Sequence, residues 1–320
     1  MDIIESLRFV RGAVSTKDLV PEMKHFAIKD GTVRAFNGVL AISCPIDFDV
    51  DCMPKAAQMV AAIGHCEDVA ALGMTAGGRL RVQSGKFKAF VECIEDGAEV
   101  HGFPSGDMVD IDGEVLLQAF RVLKPFIGND ASRPWVNGIL LRGQSAFATN
   151  NVCLAEYWLG VDLPCTINLP QKAVEELLRV NAVPVRAQLS HHSVTFHYAD
   201  GRWIRSQLYE TNWPDLQKVL DKPSNPQPVP PGLFEGLAVI KPFVEKQGLV
   251  YFKDGALRTH QEDGLGAVYE VEGLHGEGVY HIAMLGLLNG PAKSVDFTLY
   301  PQPLTFFGDR LRGAIVGLRG

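Results

Sequence analysis

Cysteine is scarce here, six in 320 residues, and no two of the six form a C-x-x-C pair. That spacing excludes a zinc ribbon or a redox dithiol motif. Cys44, Cys52, Cys66, Cys93, Cys153 and Cys165 are instead expected as reduced, mostly buried thiols of a cytoplasmic protein. No apolar run approaches the ~18 residues of a membrane-spanning helix. The opening Met1-Asp2-Ile3-Ile4-Glu5 is acidic and is followed by no long apolar run, so no secretory signal is expected. The chain lacks a Gly-x-x-x-x-Gly-Lys-Ser/Thr loop, which excludes P-loop nucleotide hydrolysis. It also lacks the Gly-x-Ser-x-Gly elbow of a serine hydrolase. Positive charge is in deficit: 30 Lys and Arg stand against 37 Asp and Glu, a net charge of −7. An overall polybasic nucleic-acid coat is therefore excluded, although a local basic surface is not. What remains, 47% hydrophobic and 21% charged residues, is the composition of a folded protein with real cores.

What the chain does have is repetition. Val122-Leu123-Lys124-Pro125-Phe126-Ile127 returns as Val239-Ile240-Lys241-Pro242-Phe243-Val244, residue 122 against residue 239, an offset of 117. The flanks keep register, with Leu116, Phe120 and Leu123 answering to Leu233, Leu237 and Ile240. A fainter copy, Ile3, Leu7 and Val10, precedes the second by 113 residues. Each trio has the i, i+4, i+7 spacing of a helix laid on a core. The period is too long for a solenoid unit and fits whole domains.

Each copy continues with apolar runs that read as a hairpin: His25–Ala35 around Asp30-Gly31, Gly138–Ala148 around Gly143-Gln144, and Leu249–Arg258 around Asp254-Gly255. The next strand repeats as Phe36–Ala41 and Thr149–Ala155. A second helix is expected behind Pro54 and behind Pro170, proline suiting the first helical position, and at His281–Leu288 without a proline. Closing strands are clearest at Val185–Leu189, Ser193–Tyr198 and Arg202–Leu208, with a turn at Asp200-Gly201. The glycine-rich Gly73–Gly78 also reads as a turn. Pro104–Asp107 and the proline-rich Lys222–Gly232 read as connectors, the latter too poor in amide donors for a sheet. The expected class is α+β, with domains at 1–106, 107–222 and 232–320 and a linker at 223–231.

Two helices on one face of a sheet leave their outer faces exposed. On that face Arg8 and Arg11 have register equivalents in Arg121 and Lys124, then in Ala238 and Lys241, so five of six positions are basic inside an acidic chain. Lys55 and Lys172 add charge near the starts of the second helices. A solvated helix face with acidic neighbours such as Glu5 and Glu114 accounts for such residues one copy at a time. The recurrence in register is what points to a shared anionic ligand.

Four further stretches resemble the bacterial-type sliding clamp of DNA polymerase III, its β subunit. Arg133-Pro134-Trp135-Val136-Asn137-Gly138-Ile139-Leu140-Leu141 resembles the family's arginine, bulky pair, Leu-Asn-Gly and strand. Ala148-Thr149-Asn150-Asn151-Val152-Cys153-Leu154-Ala155 stands where the family has Ala-Thr-Asp-Gly-His-Arg-Leu-Ala. Ile167–Ala173 resembles its Val-Pro-Arg-Lys helix start, and Trp213–Leu220 its Phe-Pro-Asp-Tyr-x-x-Val-Leu segment.

The resemblance implies three tandem clamp domains, with two subunits closing head to tail as a homodimeric ring around double-stranded DNA. Twelve helices would line the hole, and continuous sheets would form the outside. It implies a non-enzymatic, cytoplasmic replication factor that tethers a DNA polymerase and is placed on DNA by an ATP-dependent clamp loader. Contacts to phosphate, not to bases, would hold the duplex. The DNA-facing set is then Arg8, Arg11, Arg121, Lys124, Lys172 and Lys241 from the repeat, with Arg133 and Trp135 from the family match. A pocket for a partner peptide would draw on Val136, Thr149, Asn151, Val152, Cys153, Leu154, Val316, Gly317, Leu318 and Arg319; the alternative for each is plain sheet packing. Here Val152-Cys153 replaces the family's His-Arg, Asn151 its glycine, and Val316–Gly320 its Met-Pro-Met-Arg-Leu ending. A divergent clamp serving a bacteriophage polymerase would carry such departures.

His191, His192 and His197 lie near Asp200, the one sequence cluster open to a metal reading. Adjacent histidines on a strand face opposite sides, and the strand–turn–strand pattern explains all three. No metal, cofactor or catalytic residue is assigned. The competing reading is a repetitive α+β enzyme or scaffold with a site between the second and third copies.

Overall fold

Asp2 accepts the Ile4 amide at 3.3 Å, and from that cap the first helix, α1 (Ile3–Val10), begins. The computed structural model describes residues 2–17, 20–48, 50–67, 70–94, 102–209 and 213–319. Six further helices follow: α2 (Ala56–Gly64), α3 (Gly113–Leu123), α4 (Gln171–Val180), α5 (Gln217–Leu220), α6 (Leu233–Ile240) and α7 (Ile282–Gly286). No helix among the described residues is long and apolar enough to cross a membrane. The chain divides into two compact units, residues 1–117 with 172–208 and residues 118–171 with 209–320.

The repeated helix reads out as its spacing demands. Leu7 and Val10, Leu116, Phe120 and Leu123, and Leu233, Leu237 and Ile240 are all buried, while Ile3 is half-buried. Each copy then tightens into a 3₁₀ turn, at Arg11–Ala13, Lys124–Phe126 and Lys241–Phe243. In the second and third copies Pro125 and Pro242 enforce the change, because proline cannot supply the amide that an α-helix needs. The closing bonds are equivalent: Val14 to Arg11, Ile127 to Lys124 and Val244 to Lys241, at 3.0, 3.2 and 3.2 Å.

The first unit is built on a seven-stranded antiparallel sheet, in the order Ala27–Lys29, Thr32–Phe36, Leu40–Pro45, Trp203–Gln207, Ser193–His197, Arg186–Leu189, Asp107–Asp110. Trp203 faces Ser43 and Ile204 faces Ile42, so a strand of the second sequence copy pairs with one of the first. A separate three-stranded sheet, Ala71–Met74, Leu80–Ser84 and Phe87–Val91, ends on that last strand. Helices α1 and α2 pack on each other, and α1 packs on strands Thr32–Phe36 and Leu40–Pro45.

The second unit repeats the junction. Its six-stranded sheet runs Gly138–Thr149, Cys153–Pro170, Leu311–Ile315, Leu304–Gly308, Ser294–Asp296, Gln227–Pro228. Cys153 faces Ile315 and Tyr157 faces Leu311, a third-copy strand on a second-copy strand. A four-stranded sheet, Val268–Glu270, Ala256–Arg258, Leu249–Lys253 and Gly278–His281, completes it.

The Asp-Gly hairpins form as expected. Asp30 and Gly31 have φ of 49° and 65°, and Asp254 and Gly255 of 53° and 72°, the paired positive values of a tight two-residue turn. Gly143-Gln144 does not make a hairpin. Gly143 alone has positive φ (57°), so the chain shifts register there and runs on as one strand from Gly138 to Thr149. The turn comes instead at Asn150-Asn151-Val152, with Asn151 at φ 71°. Pro54 and Pro170 end strands rather than opening helices, lying just outside α2 and α4. His281 does cap α7, its Nδ1 accepting the Ala283 amide at 3.2 Å. The Lys222–Gly232 stretch is not free of the sheet: Gln227 and Pro228 pair with Val295 and Ser294 on its outermost edge, where a proline is tolerated.

Candidate functional site

The basic positions fall on exposed surface. Arg8 and Arg11 are exposed at the end of α1, Arg121 and Lys124 at the end of α3, and Lys241 just beyond α6. Ala238 is exposed as well, and so are its neighbours Val239 (52%) and Phe243 (58%). Phe243 is the register equivalent of Phe126 and Ala13, both fully buried. The third copy thus exposes apolar side chains beside Lys241, at positions whose equivalents are buried or half-buried or, for Ala238, basic. Lys172 is exposed in the first turn of α4. Lys55 caps α2 and is matched by Glu92 at 3.3 Å.

Arg133 and Trp135 belong to a built corner of the second unit. The Asp130 carboxylate accepts the Ser132 hydroxyl at 2.6 Å, the Ser132 amide at 2.8 Å and Arg133 Nε at 2.8 Å. These donors, the Ser132 hydroxyl foremost, pull its pKa from the ordinary 3.8 to about 2. Asn137 closes the corner, accepting the Asp130 amide and donating to its carbonyl. Arg133 is therefore an exposed cation tied to an acid. Trp135 is half-buried, its ring 5.0 Å from that of Trp213.

The expected peptide-pocket residues divide into two groups. Thr149, Asn151 and Val152 make the turn between the two long strands. Asn150 Oδ1 accepts the Val152 and Cys153 amides at 3.1 and 2.7 Å, and Thr149 Oγ1 donates to the Cys153 carbonyl at 2.8 Å. Leu154 points into an apolar cluster with Leu140, Phe147, Leu216 and Leu220, on which Trp213 and Val219 pack while partly exposed. Cys153, next along the strand, faces the other way and is 1% exposed; burial pushes its thiol pKa up, so it is an uncharged packing group. Val136 is fully buried too, against Gly128, so neither Cys153 nor Val136 lines the cluster.

The last described residues run past this turn. The Val316 amide donates to the Val152 carbonyl at 2.9 Å and the Leu318 amide to the Val279 carbonyl at 2.8 Å. Tyr300 donates its hydroxyl to the Leu318 carbonyl at 2.8 Å, with Gly317 lying against the Tyr300 ring. Val316 and Arg319 are exposed. The expected pocket set did not include the cluster's other members, Leu140, Phe147, Trp213, Leu216, Val219 and Leu220. The i, i+4 spacing of Leu216 and Leu220 was the available signal, but a four-residue helix is too short for periodicity to stand out.

The histidines do not converge. His191 and His192 sit in the turn between Arg186–Leu189 and Ser193–His197, their rings 6.4 Å apart. His197 contacts Gln188 at 3.1 Å, and Asp200 is held by Arg202 at 2.7 Å. Among the described residues no group of three or more His, Cys, Asp or Glu is placed to hold a metal ion.

No protein-family model matches the chain, and no curated protein matches it in sequence. Solved structures do match. The β subunit of the DNA polymerase of Streptococcus pyogenes superposes with a TM-score of 0.83 at 16% identity, covering 99% of this chain and 97% of that one. The DNA polymerase III subunit β of Pseudomonas aeruginosa gives 0.84 at 14%, covering 99% and 98%. The β clamp of Helicobacter pylori gives 0.84 at 14%, covering 100% and 98%. From end to end, at low sequence identity, the chain has the fold of the DNA polymerase III β sliding clamps.

Proposed function

We propose that this protein is a sliding clamp: two copies close a ring around double-stranded DNA and tether a DNA polymerase for processive replication. The observation that carries the reading is the match of the whole chain to β subunits at TM-scores of 0.83 and 0.84. The recurring basic helix ends support it, because a loosely cationic surface attracts phosphate without reading sequence. In this reading the protein is a cytoplasmic scaffold rather than an enzyme, composed of three domains at 1–106, 107–222 and 232–320.

The repeat also supports a way for the ring to close. Strand Leu40–Pro45 pairs with Trp203–Gln207, and its counterpart starting at Cys153 pairs with Leu311–Ile315. By the same rule, the third copy's Val268–Glu270 should pair with the first copy's last strand, Phe87–Val91. Each of these is an edge strand in its own sheet, and each exposes an apolar residue, Val268 at 52% and Phe90 at 50%. Unpaired edges with exposed apolar side chains favour association. A second copy supplies the missing partner twice over, head to tail. The exposed Val239 and Phe243 on and just beyond α6 add to that apolar surface.

The cluster around Leu154, with Trp213 and Val219 on its open side, is the docking site for a peptide of the polymerase and of the ATP-dependent loader. Val152-Cys153 leaves the site without the family's His-Arg pair, so apolar contact dominates recognition there.

Light scattering should give twice the 35.0 kDa chain mass. After loading, the protein should stay on circular DNA and run off linear DNA. A monomer at high concentration, or equal retention on the two DNA forms, overturns the reading.

A further inference from the structure

Helix α5 is a single turn of four residues, too short to hold its own shape in water. Two pairs of side chains hold it. Leu216 and Leu220, four apart and on one face, enter the apolar cluster with Leu140, Phe147 and Leu154. Gln217 and Asp221, also four apart, share one guanidinium. Arg312 Nη2 donates to Gln217 Oε1 at 3.2 Å, and Nη1 donates to Asp221 Oδ1 at 2.8 Å. Its third arm, Nε, donates to Glu156 Oε2 at 2.5 Å.

The base of this fork is set by the sheet. Arg312 lies directly opposite Glu156 in the ladder between the second-copy and third-copy strands. Glu156 is 8% exposed, and its other oxygen accepts the Ser145 hydroxyl at 2.7 Å. The buried acid thus fixes the arginine, and the arginine reaches out to both ends of the helical turn. Only a planar guanidinium offers three such donors in fixed directions; a lysine ammonium at the same place could not serve both ends.

We propose that Arg312 is a positioning residue for the partner-peptide site: by clasping residues 217 and 221 it keeps the Trp213–Leu220 wall in place beside Leu154. This rests on the docking reading given above. A wall ordered before the partner arrives spares binding the cost of ordering it afterwards. The Asp221 end of the clasp is solvent-exposed, so its effect is on the local turn far more than on the whole fold.

The test uses the full chain and a peptide selected on the wild-type protein from a phage-displayed library. Arg312→Ala strands the buried Glu156, so the second variant is the pair Gln217→Ala with Asp221→Ala, which leaves the Arg312–Glu156 contact intact. Both variants should speed amide exchange across 217–221 and weaken the selected peptide about tenfold, mainly by faster dissociation. The double variant should melt where the wild type does. Arg312→Lys should restore melting but not exchange protection or affinity. Wild-type exchange and affinity in the double variant, or full rescue by Arg312→Lys, overturns the role given to Arg312 alone. Failure to select any peptide on the wild type overturns the docking reading and this role with it.

Discussion

Glu176 lies against the backbone of Gly12, its carboxylate occupying the space that a β-carbon at residue 12 would need. Arg179 holds that carboxylate through Nε at 2.8 Å and Nη2 at 2.5 Å, and the same guanidinium donates to the Phe9 carbonyl at 2.9 Å. The close approach therefore joins the end of α1 to α4 within the first unit, through a side chain that is not free to swing aside. Gly12→Ala should cost about 1–3 kcal/mol by overpacking, read as a lower denaturant midpoint. An unchanged midpoint would mean that the Glu176–Arg179 pair yields without cost.

Charge removal at the repeated helix ends should act on DNA and not on stability. Arg8→Ala, Arg121→Ala and Lys241→Ala alter exposed positions, so each should shift folding by no more than about 0.5 kcal/mol. If each contacts a phosphate, the slope of log affinity against log salt should flatten by about 1 per variant. Unaltered slopes in all three would remove these residues from the DNA-facing set.

Phe243→Asp and Phe90→Asp each place a charge on an exposed apolar position rather than in a core. Each should convert the dimer to a folded monomer, seen as halved mass by light scattering with an unaltered far-ultraviolet spectrum. A dimer that survives both substitutions would place the contact elsewhere.

Asp130 sets a pH dependence that can be followed at one carboxyl. Its pKa is depressed from 3.8 to about 2, chiefly by the Ser132 hydroxyl, then by the Ser132 amide and Arg133. A depressed carboxyl contributes stability above its unfolded value, and that contribution fades as pH falls from about 4 to about 2. Carbon-13 detected titration of Asp130 should give its midpoint near 2 in the wild type. Ser132→Ala should move that midpoint upward.

Leu154→Ala should cost about 2–5 kcal/mol if the cluster cannot collapse around the gap. The same change should abolish capture of a library-selected peptide. Cys153→Val, one residue away on the opposite face, should leave peptide capture intact. Equal losses from the two substitutions would show that the peptide does not read the cluster face.

Much of the fold was legible because it rests on local rules repeated in register. The i, i+4, i+7 trios located α1, α3 and α6, and the recurring Lys-Pro-Phe set two of them in register. Asp30-Gly31 and Asp254-Gly255 located two hairpins, since few residues other than Gly, Asn and Asp accept paired positive φ. Gly143-Gln144 misled because one glycine is enough for a bulge but not for such a turn. The DNA-facing candidates were readable as charges kept at equivalent positions, whereas the Leu154 cluster draws on Leu140, Phe147, Trp213 and Leu220, which no short window contains.

The sequence by itself determined the three repeated helices, the two Asp-Gly turns and the recurrence that makes the copies comparable, because each depends on residues within a few positions of one another. Only the tertiary structure decided which copies share a sheet, that Ile204 meets Ile42 and Tyr157 meets Leu311, and that Arg312 reaches both Glu156 and α5. Those pairings join residues more than 90 positions apart. What selects them is the need of backbone edges and buried charges for partners, and no local pattern encodes where such partners lie.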